Sequence, residues 1–141
     1  MDRTALLPEN GLVSDDFHKW AKDAGNKLRA YVLSYASGAT AVFFLALTGK
    51  DLQAFSTSEK WLLVGALVLY VSTTVLCLYE LHIDARRFFY IAKQLELPEK
   101  ERSWAKNAVY KKLRRTLIYS SYVTAALATT AVVGFLISRI A

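Results

Sequence analysis

The chain has 141 residues, 54% of them hydrophobic, with 18 Lys+Arg against 12 Asp+Glu and a formal net charge of +6. A single cysteine, Cys77, and two distant histidines, His18 and His82, exclude a disulfide framework and any recognisable metal motif, so neither a metal nor a cofactor is expected. The apolar residues lie in three long blocks, not in the short runs of a soluble core, and the basic excess therefore bears first on membrane topology and only then on nucleic acid.

Residues 1–29 read as a cytoplasmic arm. MDRTALLPENGLV lacks the basic start, apolar core and small-residue cleavage site of a signal peptide, so none is expected. Ser14 is expected to cap a helix, with Asp15 and Asp16 favourable in its first turn. Phe17, Trp20, Ala21, Ala24, Leu28 and Tyr31 recur at helical spacing, which predicts an amphipathic segment lying in the membrane interface or packing on a neighbour. Gly25-Asn26 is a predicted bend before the first span.

The membrane domain, 30–141, follows. Its three blocks, 30–49, 61–79 and 116–138, are free of charged side chains. Each has the roughly 20 residues that a helix needs to cross about 30 Å of hydrocarbon. The predicted spans are about 30–49, 61–82 and 116–138. Backbone groups in lipid must be satisfied internally, so each is expected to be helical. The second span is expected to continue to about residue 95, with Phe88, Ile91 and Leu95 on one stripe. Pro98 breaks the chain, and Glu99 and Glu101 suit the first turn of a helix running from about residue 99 into the third span. Ala105, Val109 and Leu113 share a face there. The two extensions, within 83–115, are expected to pack as an antiparallel hairpin projecting about 20–25 Å from the membrane. The fold class is thus an all-α membrane protein with three transmembrane helices, an amphipathic N-terminal helix and a cytoplasmic helical hairpin.

Charge assigns the sides. Of the 18 basic residues, five lie in 1–29 and ten in 83–115, leaving Lys50, Lys60 and Arg139 for the remaining loop and the tail. The basic segments belong in the cytoplasm, which places the amino terminus inside and the carboxyl terminus outside. Trp61, Tyr31 and Tyr119 lie where interfacial aromatics are expected.

No glycine-rich phosphate loop, metal-ligand spacing or nucleophile–base pattern appears, and little soluble chain remains to build a pocket, so no enzyme is expected. Three features invite a function. The hairpin carries ten basic against four acidic residues, interleaved with aromatics. Arg86, Arg87, Lys93, Lys106, Tyr110, Lys111, Lys112, Arg114 and Arg115 form a candidate site for a polyanion such as a nucleotide or oligonucleotide, cations gripping phosphate and rings stacking on bases. Topology and attraction to anionic lipid explain the same charges. In the third span, Ser120, Ser121, Thr124, Thr129, Thr130 and Gly134 suit close helix packing or a weakly selective pore wall. Glu80, His82 and Asp84 end the second span, as interface residues paired with nearby bases or as gating groups. Cys77 reads as a packing residue, and Ser34-xxx-Gly38 and Ser37-xxx-Ala41 as close helix contacts.

FHKWAKDAGNKLRAYVLSYASGATAVFFLAL (17–47) runs an aromatic, basic amphipathic helix into a first span rich in small residues, followed by a short loop, a second span and a helical extension. This layout, over roughly 15–95, resembles the SLATT-type small membrane effectors of bacterial anti-phage systems, including Hailong-type channel components. A short hairpin returning into a third span departs from the plainest two-span form. The resemblance implies a homo-oligomeric ion channel in the bacterial inner membrane. A nucleotide or oligonucleotide from a nucleotidyltransferase encoded nearby would gate it, and opening would depolarise the cell. The alternatives are a non-conducting scaffold or accessory subunit binding anionic lipid or a partner membrane protein, and a holin-like lesion former. The basic amino-terminal arm and the non-basic SRIA tail argue against the last.

Overall fold

The computed structural model describes residues 9–49 and 53–140. It consists of three long helices, α1 (Glu9–Thr48), α2 (Thr57–Leu95) and α3 (Ala105–Ile140), with a 3-10 turn at Glu99–Glu101. No strand occurs among the described residues. Each helix contains a window long and apolar enough to cross a membrane. Residues 1–8, the start of the amino-terminal arm, and Lys50 lie outside the described residues.

The chain divides into two compact units, 1–31 and 32–141. In the first, helix α1 starts at Glu9, ahead of the expected cap at Ser14, and stays helical through Gly25-Asn26 where a bend was expected. The Arg29 guanidinium donates to the Gly25 carbonyl at 3.2 Å and to the Asn26 side chain, which braces this turn. Phe17 and Trp20 pack edge to face at 5.4 Å, and both are largely exposed, as are Leu28 and Tyr31.

The second unit is built on an antiparallel pair, α2 against α3. The α2 residues that turn inward are Glu59, Leu63, Ala66, Tyr70, Thr73, Cys77, Glu80 and Ile83. Their spacing alternates four and three from Glu59 as far as Glu80. Leu117, Ser121 and Ala128, the buried residues of α3, keep the same rhythm. A 3.5-residue repeat holds one seam towards a partner helix over many turns, as in a coiled coil. The seam is small and polar. Thr73 and Thr124 place their hydroxyls 2.8 Å apart, so that one donates across the seam while the other donates back to a carbonyl of its own helix, within reach at 2.9 Å for Thr73 and 3.1 Å for Thr124. The last part of α1 joins at Ala36, which forms a closed cluster with Ala66, Tyr70 and Ala128. Phe43 stacks on Tyr70 at 5.8 Å, and the Tyr35 hydroxyl lies 2.8 Å from that of Tyr70 and 2.9 Å from Thr129.

Both ends of the pair are fastened. Ser56 and Glu59 form a reciprocal capping box at the start of α2. Arg139 lies 3.8 Å from Glu59 and 5.0 Å from the centre of the Phe55 ring, and Phe55 meets Phe135 edge on at 5.6 Å. At the other end the third helix begins at Ala105, later than the expected residue 99. Pro98 caps the 3-10 turn instead. Side chains close this connection: Gln94 accepts from the Ser103 amide at 2.7 Å, and Arg102 donates to the Leu97 carbonyl at 3.0 Å. These local bonds compete with continued helix. The expected apolar stripe does not hold the hairpin tip, because Phe88, Leu95 and Val109 are at least half exposed. Polar and aromatic pairs do. Arg87 donates to Asn107 at 2.8 Å, Tyr90 packs on Tyr110 at 6.3 Å, and the Tyr90 hydroxyl donates to the Ser103 carbonyl.

Candidate functional site

The candidate site residues of the hairpin gather where α2 and α3 leave their apolar stretches. On the seam face of α2, Glu80 is 2% exposed and accepts from Arg114 Nε at 2.7 Å. Asp84, one turn on, brings Oδ1 to 3.3 Å from the same nitrogen and 3.6 Å from Arg87 Nη1. That oxygen is buried and makes no hydrogen bond, so charge alone holds it. Arg87 is turned away from solvent by its bond to Asn107 and lies over the Phe88 ring at 5.6 Å. Two carboxylates and two guanidiniums thus neutralise one another inside the hairpin. Isolated charges buried there would be costly, whereas a paired set is tolerated and can fix register.

The outer face of the same turns is different. His82, Ala85, Arg86, Phe89, Tyr90 and Lys93 of α2, with Tyr110 of α3, line a surface groove of about 460 Å³. His82, Arg86, Phe89 and Lys93 fall three or four residues apart, hence on one helical face. Among the described residues no carboxylate lines the groove. The His82 ring stacks on Tyr79 with planes 18° apart, and Phe89 is 76% exposed. Cations spaced along a helix with rings between them can hold phosphate groups and stack against a flat base.

The nine residues expected to bind a polyanion therefore sort into three groups. Arg86, Lys93 and Tyr110 meet in the groove. Arg87 and Arg114 are committed to Asp84 and Glu80. Lys106, Lys111, Lys112 and Arg115 are exposed along α3 and do not line the groove. Of the three gating candidates, Glu80 and Asp84 face the seam, while His82 joins the groove. Phe89 and Tyr90 were legible only as aromatics among charges. Their place in the groove follows from the four-residue face shared with Arg86 and Lys93.

The third-span residues also divide. Ser121 is buried in the seam, Thr124 bonds Thr73, and Thr129 approaches Tyr35 and Tyr70. Ser120 lines a shallow apolar groove with Thr116, Tyr119, Val123 and Thr124 itself, and Thr130 is exposed. A side chain added at Gly134 or Gly38 would meet nothing within 4 Å. The close approach that these glycines permit is thus not used among the described residues. Among the described residues no group of His, Cys, Asp and Glu has a metal-binding arrangement. No family model, curated protein or solved structure matches this chain.

Proposed function

We propose that this chain is a multi-pass protein of the bacterial inner membrane that assembles with copies of itself into a pore, controlled by a nucleotide or short oligonucleotide at its basic cytoplasmic hairpin. The observation that carries the ligand is the sorting of charge in the hairpin. Arg87 and Arg114 are spent on internal carboxylates, and Arg86 and Lys93 remain with four rings around a groove that has no acid. A phosphate-bearing ring compound matches that lining.

Several features support the membrane reading. Val64, Val68, Val75 and Leu78 of α2 and Val123, Leu127, Leu136 and Ile137 of α3 are all more than a third exposed. An apolar surface of this extent needs lipid or protein cover. The polar seam fits the same setting, since hydroxyl pairs hold helices together where lipid removes the hydrophobic drive. The outward small residues, Gly38 of α1 and Ser120, Thr130 and Gly134 of α3, leave room for a second copy to approach. A pore would form between copies, because the hydroxyls of the seam already bond across it. The resemblance to SLATT-type effectors supplies the defence setting, in which opening depolarises the cell and a neighbouring nucleotidyltransferase makes the ligand.

The test is electrical. Purified full-length protein in a planar bilayer should carry current, and a panel of nucleotides and short oligonucleotides added on the hairpin side should change it. Lys93→Gln should weaken the response and leave the basal current. A bilayer that stays silent under every condition would reject the pore.

A further inference from the structure

The groove is long, and its two ends lie at different depths in the inserted chain. Taking the end of the apolar stretch, Tyr79, as the edge of the hydrocarbon, His82 lies about 4–5 Å beyond it, Arg86 about 10 Å and Lys93 about 21 Å at 1.5 Å per residue. The headgroup layer on one side of a bilayer is about 5–8 Å thick. Lys93 therefore stands clear of the lipid, and His82 sits within it. Arg86 lies just above, but side chains on a helix lean towards its amino terminus. In α2 that direction is towards the membrane, so Arg86 reaches back into the headgroups. The bases at the foot of α3 lean the other way, because α3 enters the membrane from its amino-terminal end. Lys111, Lys112 and Arg115 are thus aimed off the bilayer. His82 is also held by its stack on Tyr79, and among the described residues Arg86 enters no ion pair, whereas its neighbour Arg87 is tied to Asp84 and Asn107.

We infer that the membrane-side end of this groove, His82 and Arg86, is a binding site for the phosphate of an anionic phospholipid. The lipid tail lies along the exposed Leu78 and Leu81. The upper end, Lys93 with Tyr90 and Tyr110, is left to a soluble ligand. The site requires insertion as proposed above but not conductance, so a silent bilayer leaves it standing.

The experiment places full-length protein in nanodiscs of mixed phosphatidylcholine and phosphatidylglycerol and measures which lipid is retained on stripping with detergent. Phosphatidylglycerol should be enriched in the wild type. Each base at the surface contributes about 1 kcal/mol to such attraction, equivalent to about fivefold. Arg86→Gln should cut the enrichment about fivefold, His82→Asn should lower it further, and Lys93→Gln should leave it within about twofold. Inorganic phosphate or a nucleotide added to the discs should not displace the lipid. Circular dichroism of each variant checks that the helices are intact. Equal losses at Arg86 and Lys93, no loss at Arg86, or displacement by soluble phosphate would each overturn the assignment. The last outcome would make the whole groove a soluble-anion site.

Discussion

Replacing Arg114 by Met tests whether the buried charges fix the hairpin's register. Glu80 is 2% exposed and its carboxylate accepts from Arg114 Nε at 2.7 Å. Removing one member of a buried pair costs about 3–5 kcal/mol, because the other charge stays behind. The Arg114 side chain is 23% exposed and that of Asp84 18%, so solvent screens part of the loss. About 2–3 kcal/mol is then expected, a drop of order 5–10 °C in Tm for a chain of this size. Changing both partners to apolar residues, Glu80→Leu with Arg114→Met, should recover most of it, since an apolar pair replaces a buried ion pair at little cost. The measurement is thermal loss of helicity in detergent, with Glu80→Leu alone completing the cycle. A double variant whose loss equals the sum of the two single losses would show that the two side chains are not coupled and would refute the pairing.

Tyr70→Phe removes a hydroxyl placed 2.8 Å from Tyr35 and 3.4 Å from Thr129, and should cost about 1 kcal/mol in the same melt. Tyr35→Phe should cost a similar amount, and the two together less than the sum, because they share one bond; a full sum would separate them. Ser56→Ala breaks the capping box of α2 and should cost about 1 kcal/mol, with Ser56→Asp restoring most of it. Ala128→Leu drives three carbons into a site that is 0% exposed, among Ala36, Ala66 and Tyr70, and should destabilise by about 1–3 kcal/mol, whereas Val123→Leu on the exposed face should be near neutral.

The large features of this fold were legible because they rest on local sequence. Three uncharged blocks give three long helices, and Pro98 marks the reversal between the second and third. The seam was harder to read. Ser120, Ser121, Thr124, Thr129, Thr130 and Gly134 all suit close packing by residue type, yet the buried positions follow Leu117, Ser121 and Ala128, a 3.5-residue rhythm that appears only against the matching rhythm of α2. The meeting of Tyr35 with Tyr70 and Thr129 joins positions far apart in the chain, and no local pattern marks it. The hairpin tip shows the opposite lesson. Val109 and Leu113 look like a packing face, but Arg87, Asn107, Tyr90 and Tyr110 make the contacts. Charge counts also treat every base alike. Only the partners of Arg87 and Arg114 separate structural bases from those facing the groove, and those partners, Asp84 and Glu80, were legible as charges at the end of the second apolar block without their alignment to Arg114.

Current through a planar bilayer holding the purified chain tests the proposed function most directly. The expected result is a conductance that nucleotides or short oligonucleotides alter from the hairpin side and not from the other, with the response weakened in Lys93→Gln. A response from both sides, or one unchanged in that variant, would contradict control through the groove, and the absence of any current would contradict the pore itself.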